Sequence, residues 1–361
     1  MRLLSISRAA GCELARDIPA PDPRQMPLLR SGAKLSDRYA RALAEAGIHA
    51  VWVNDALSEG IEPADLVPPH VRERAARGVS DALTGAREAF GRRQPLSPEV
   101  ARDLASIVEQ IAASVATHPG TALVLTDLAG ADAYTHQHSI DVCALGLLLG
   151  KLLFDASGWE DDRGRHRVDG VDRRLLQLGL GLLLHDVGKL AVPAAILNKR
   201  EPLTDEELAV VRTHSEMGAD LLAGDAYSPV VRAIVREHHE RWDGRGYPRG
   251  LAGERIHQLA RIAAVADVYD AVTSERPYRP AQPPHVGVAV ITGGAGTQFD
   301  PRVVEVFRRV VAPFPVGAEI ALADGSVGVV AAVDADDPER PLVRFPAGER
   351  RVELGVEPLA A

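Results

Sequence analysis

The chain has 361 residues, 46% of them hydrophobic and 25% charged, which is ample material for a core and long for a single domain. Its formal net charge of -9 excludes the broad basic footprint of a DNA or RNA polymer binder, while a small anionic ligand held by local cations stays compatible. The two cysteines, Cys12 and Cys143, form no disulfide framework, and aromatic residues are only 4%, so the core must be mainly Leu, Val, Ile and Ala.

Residues 1–8 lack the apolar stretch of a secretion signal, and the apolar runs at 144–149 and 175–184 are too short to span a bilayer. A soluble, cytoplasmic protein without a membrane span is expected. Residues 1–70 read as a small α+β unit. Ser36 caps a helix from Asp37, Gly47 stops it, and 48–53 reads as a strand, with Pro63, Pro68 and Pro69 closing the unit. Two amphipathic helices follow at 71–90 and 98–118, parted by Gly91 and Pro95, and are expected to form a connector over 71–120.

From 121 to 312 the pattern is helical, with turns at 155–170, 193–202 and 241–253. Thr204 with Glu207 makes a capping box opening a helix expected to carry His214. Ser228-Pro229 opens another that ends at His238-His239. An Ala- and Val-rich helix at 256–273 carries Asp267 and Asp270. Beyond Pro313, glycines punctuate strands at 320–322, 327–333 and 342–345, a short β unit over 313–361. The fold class expected is mainly α: a helical bundle with a small α+β N-terminal unit and a short β C-terminal unit.

Chemistry concentrates in the bundle. His138, His185, Asp186, His214, His238, His239 and Asp267 each sit on or at the end of a predicted helix, as in metal sites built inside bundles. The donors are nitrogen and oxygen only, suited to Fe, Mn, Ni or Zn. Neighbours on a helix diverge by roughly 100°, so His238 and His239 are not expected to share one ion easily, but they can serve one side of a pair. Asp186 beside His185 suggests a bridging carboxylate, with a bridging hydroxide of lowered pKa as nucleophile toward a phosphodiester. A single histidine on an apolar helix is more often a satisfied core residue, and Asp267 could instead pair with Arg261. Seven such polar burials together favour metal. His49, His70, His118, His136, His166, His257 and His285 are read as structural, His136 being close to His138.

His185-Asp186 with Gly188-Lys189 resembles the signature of HD-domain metal-dependent phosphohydrolases. The further stretches at 134–139, 197–199, 238–248, Asp267 to Asp270, 276–279 and 296–301 resemble the HD-GYP subfamily, in the right order over about 120–311. The resemblance implies an HD-type bundle and an enzyme that opens cyclic di-GMP to pGpG, and in some members on to GMP. It implies the same seven metal residues, Asp186 and Lys189 as catalytic residues, and Lys189, Arg276, Arg279, Gly246, Tyr247, Pro248 and Asp270 on the substrate side. Some members hold a third metal through a glutamate just before the first motif histidine. Here Asp132, Ala133 and Tyr134 precede it, so two divalent ions, Fe or Mn, are expected. Arg245 adds charge where a small residue is usual. The resemblance leaves open another cyclic dinucleotide as substrate, a module that binds ligand and docks partners such as diguanylate cyclases, and a homodimer.

Overall fold

The computed structural model describes all residues except 21, 23, 118–133, 162–163, 200, 275–280, 335 and 355–361. The N-terminal unit contains β1 (Arg2–Ser5), β2 (Glu13–Leu14), α1 (Asp37–Glu45) and β3 (Ala50–Asn54). Its antiparallel sheet runs β1-β3-β2, with Arg2 opposite Val53. Ser36 caps α1, its hydroxyl oxygen accepting from the Tyr39 N–H at 3.2 Å. Sequence reading supplied β3, starting two residues early, but not β1, whose four residues are fixed by their pairing with β3. Leu4, Leu14, Leu43, Val51 and Val53 give this unit its own core.

Helices α2 (Pro69–Arg92) and α3 (Pro98–Ala116) both carry proline in the first turn, where a missing N–H leaves no bond unmade. Their apolar faces, including Val79, Leu104, Val108 and Ile111, join one continuous core that extends to Val311. The helices expected as a separate connector are therefore part of the bundle. It is completed by α4 (Tyr134–Ser157), β4 (Trp159–Glu160), β5 (His166–Arg167), α5 (Val171–Leu184), α6 (Ala194–Leu197), α7 (Asp205–Arg212), α8 (His214–Leu221), α9 (Pro229–Glu237), α10 (Gln258–Thr273), α11 (Pro284–Gly293) and α12 (Pro301–Val310). The β4–β5 ribbon lies where only a turn was expected.

Helix α4 packs between α5 and α10. Residues 137–150 and 258–267 are buried throughout, so α4 and α10 are covered on every side, as helices apolar almost all round must be. A histidine or aspartate on such a helix has no water to turn to and must find a partner. That constraint decides where the site lies.

At the C-terminal end β6 (Glu319–Ala321), β7 (Val327–Ala332), β8 (Leu342–Phe345) and β9 (Gly348–Arg351) form an antiparallel meander in that order. Sequence reading missed β9, every residue of which is exposed. Ile320, Val330, Val343 and Phe345 fill the sheet's small core. The sheet docks on the N-terminal unit. Leu3 N–H donates to the Gly317 carbonyl at 3.0 Å, Arg2 meets Glu319 at 2.8 Å, and Arg8 pairs with the same carboxylate. Among the described residues no helix is long and apolar enough to cross a membrane. The fold is mainly α, with small sheets before and after the helical bundle.

Candidate metal centre

His138 lies on α4, His185 and Asp186 follow α5, His214 starts α8, His238 and His239 follow α9, and Asp267 lies on α10. The structure brings all seven together. The Thr204–Glu207 capping box forms as expected, but its helix stops at Arg212 and does not carry His214. The Thr213 hydroxyl donates to the Val210 carbonyl at 2.7 Å, a local bond that competes with helical continuation. Gly188 sets the position of the next helix: a Cβ there would lie 1.9 Å from the His214 carbonyl oxygen. Only glycine allows the 3-10 turn Val187–Ala191 to press against α8 and bring His214 to Asp186.

The ring orientations follow from what lies behind each imidazole. Nδ1 of His185 is 2.7 Å from the Leu182 carbonyl, that of His214 is 2.7 Å from Val211, and that of His238 is 2.8 Å from Val235. A carbonyl only accepts, so each Nδ1 carries the proton and each Nε2 presents its lone pair to the interior. His138 Nδ1 donates to Asp270 at 2.5 Å. Nε2 atoms then face one another: His138 and His185 at 3.2 Å, His214 and His238 at 3.4 Å. Lone pairs converging in a buried space call for a cation, either a proton or a metal.

Asp186 stands between two donor groups. With His138 and His185 it makes one, and with His214, His238 and His239 another, all donor atoms within 4.8 Å of their group. Its Oδ2 lies 3.4 Å from His185 Nε2 and 3.7 Å from His138 Nε2, and its Oδ1 lies 3.5 Å from His214 Nε2. Oδ1 is buried with no hydrogen-bond partner, while Oδ2 accepts from the Lys189 ammonium at 2.5 Å. Asp267 spans the groups too, with Oδ1 3.3 Å from His138 Nε2 and Oδ2 4.0 Å from His239 Nδ1. These donors and the orphaned oxygen fit divalent ions. His238 and His239 fall in one group, against the expected divergence. Helix α9 ends at Glu237, so the pair lies in the turn beyond it, with ring centroids 4.0 Å apart and planes 43° apart. Arg261, the alternative partner for Asp267, instead bonds Asp300 at 2.8 Å and Glu160 at 3.2 Å.

The protonation pattern matches this geometry. Burial would lower the pKa of His138, but the Asp267 and Asp270 carboxylates outweigh it and push it up to about 9. Burial lowers His214, takes His238 well below the ordinary range, and brings His239 down to about 3. Asp186 is held well below the usual carboxylate range because Lys189 and His185 overcome its burial, and Asp267 likewise because of His138 and His185. At neutral pH the centre therefore offers two carboxylates and several unprotonated imidazoles.

The glycine-rich loop after His239 is built against the site. A Cβ on Gly246 would meet Arg241 N at 2.3 Å and His239 O at 2.5 Å, so only glycine lets the loop fold back, and Tyr247 N–H donates to the His239 carbonyl at 3.2 Å. The Tyr247 ring lies 4.7 Å from that of His239, tilted by 32°. Two residues that sequence reading missed pin this loop. Buried Glu240 accepts from the N–H groups of Arg249 and Leu251 at 2.8 and 2.9 Å, and Glu237 accepts from His257 N–H at 2.9 Å. Acidic residues flanking a His-His pair were the available signal. Asp270, expected on the substrate side, is instead 1% exposed behind His138, where it accepts from Ser274 Oγ at 2.9 Å. Arg245 is exposed. Arg276 and Arg279 lie outside the described residues.

Residues 167–303 match the family described as HD domain. The chain is 39% identical over 276 residues to the cyclic di-GMP phosphodiesterase PA4108 of Pseudomonas aeruginosa, covering 76% of this chain and 60% of the relative. It is 44% identical over 128 residues to the cyclic di-GMP phosphodiesterase response regulator RpfG of Xanthomonas campestris pv. campestris, covering 35% and 34%. It is also 35% identical over 148 residues to the 3'3'-cGAMP-specific phosphodiesterase 3 of Vibrio cholerae, covering 41% and 32%. The chain thus spans less than two thirds of these relatives' own lengths. His185, Asp186, His214, His238, His239 and Asp267 all fall within the segment that matches the HD-domain family, and His138 precedes it, so the match covers most of the histidine and aspartate cluster.

Proposed function

We propose that the chain is a two-metal phosphodiesterase that opens cyclic di-GMP to pGpG, with Fe or Mn as the divalent ions. The observation that supports this reading is the shared Asp186 carboxylate, one oxygen toward His138 and His185 and the other, unpartnered, toward His214. A carboxylate facing two nitrogen groups suits a pair of ions. His138, His185, Asp186 and Asp267 would hold one; Asp186, His214, His238 and His239 would hold the other. Bound there, the ions would polarise the phosphodiester and supply a hydroxide nucleophile near neutral pH.

The chain's own residues do the rest. Asp270 orients His138, and the carbonyls behind His185, His214 and His238 keep their Nε2 atoms inward. Lys189 is half exposed and bonded to Asp186; turned away from it, the ammonium would reach the substrate phosphate. Gly246, Tyr247 and Pro248 would form the pocket rim beside His239, and Arg276 and Arg279 would take phosphate or guanine with their guanidinium forks. The two cyclic di-GMP relatives' names support the substrate.

A second reading, hydrolysis of 3'3'-cGAMP by the same site, is favoured by the similarity to the Vibrio cholerae enzyme of that specificity. The test is turnover of both dinucleotides by protein reconstituted anaerobically with Fe(II) or Mn(II), with metal counted in the same sample. Linear pGpG with about two ions per chain is expected. Faster turnover of 3'3'-cGAMP would move the assignment to it. Two bound ions and no product from either would leave a ligand-binding or partner-docking role.

A further inference from the structure

Arg212 ends α7, two residues before His214. Its guanidinium lies 5.3 Å from the centroid of the Tyr247 ring, and Tyr247 in turn lies 4.7 Å from His239. The three side chains make one stack leading outward from the metal centre. Arg212 is exposed, and among the described residues no carboxylate pairs with it, although the chain's other arginines are widely salt-bridged. Tyr247 senses both ends of the stack: burial and the Asp186 and Asp267 carboxylates push its hydroxyl up, while Arg212 acts in the opposite direction.

A guanidinium resting one face on an aromatic ring keeps its edge free, and that edge matches the paired oxygens of a phosphate. The stack sets Arg212 apart from the reacting phosphate, since Tyr247 and His239 intervene. Resting on the reading of the site as a cyclic dinucleotide phosphodiesterase, we propose that Arg212 binds the second, non-reacting phosphodiester of the substrate, with Tyr247 as its platform. Arg212 would then help distinguish a ring with two phosphates from a simple diester. A cation in the last turn of a helix is also favourable for the helix alone, which is the merely structural role to be separated.

The test is steady-state kinetics of the metal-loaded full chain, wild type, Arg212→Ala and Arg212→Lys, on cyclic di-GMP and on bis(p-nitrophenyl) phosphate, which has one phosphate. Loss of a charge-assisted hydrogen bond should raise the Arg212→Ala KM for cyclic di-GMP roughly ten- to a hundredfold. The kcat should stay within about threefold, because the transition state keeps its metals and its reacting phosphate. Arg212→Lys should recover part of the KM, and the KM for bis(p-nitrophenyl) phosphate should rise in neither variant. An unchanged KM for cyclic di-GMP, or an equal rise for both substrates, would overturn the proposal and leave the phosphodiesterase reading standing. A wild-type protein that cleaves bis(p-nitrophenyl) phosphate but neither cleaves nor binds cyclic di-GMP would overturn the substrate assignment first, and this proposal with it.

Discussion

Asp270 Oδ2 lies 2.5 Å from His138 Nδ1, and neither side chain is more than 2% exposed. The carboxylate fixes which nitrogen of His138 faces the cluster, and Ser274 holds the carboxylate from the other side. Replacing Asp270 with asparagine keeps the shape but removes the charge. Metal affinity should fall about 10- to 100-fold while the fold persists, as for other partners of metal-binding histidines. Competition with a chelator of known affinity would measure it, and unchanged affinity would refute the orienting role.

Asp186→Ala removes the carboxylate that both donor groups share. The variant should retain less than the full pair of ions and lose turnover altogether. Elemental analysis alongside the turnover assay would read both. A metal-replete, fully active variant would sink the bridging role.

Gly246→Ala drives a methyl into the backbone at Arg241, Glu240 and His239. Backbone cannot swing aside as a side-chain tip can, so the loop must shift and carry His239 with it. A destabilisation of about 1–3 kcal/mol in denaturant unfolding is expected, with a larger proportional loss of activity. Stability and activity both equal to wild type would mean that the loop does not need this close approach.

The metal-free protein should be most stable in a middle pH range. His214, His238 and His239 have folded pKa values below the unfolded 6.5, so the unfolded chain binds more protons as pH falls below 6.5 and stability drops. His239, with its folded pKa brought down to about 3, costs roughly 1.4 kcal/mol per pH unit below 6.5, and His214 and His238 act in the same direction. His138 has the opposite sign. Its stabilisation is fully present below 6.5 and is lost as pH rises toward about 9. Thermal melts of chelator-stripped protein between pH 5 and 9 would show the maximum. Calorimetry of metal binding near pH 7.5, in buffers of different ionisation enthalpy, should also register release of the His138 proton. A flat melt profile, or no proton release, would contradict these assignments.

The seven donors were legible because histidine and aspartate on apolar helices are costly unless paired, and the HD-GYP resemblance implied the same set. Helix starts at Ser36, Thr204 and Ser228 were legible for a local reason: each cap bonds within its own first turn. What sequence reading missed is set by contacts between distant segments. The break at Thr213 accompanies the approach of Gly188 to His214, and the union of α2 and α3 with the bundle depends on which apolar faces meet. The resemblance put Asp270 on the substrate side; only the position of α4 turns it into the support of His138.

The bond from Leu3 to Gly317, with the Arg2 and Arg8 pairs to Glu319, ties together two segments that lie more than 300 residues apart in sequence. On the ribosome, β1 must wait for its last partner until more than 300 further residues have been added, some tens of seconds at roughly 5–20 residues per second. During that interval the N-terminal unit has only its own small core, while the helical bundle can already assemble. Closure of the long loop from Leu3 to Gly317 is thus a late event in biogenesis, coming after the helices that carry the histidines have been made.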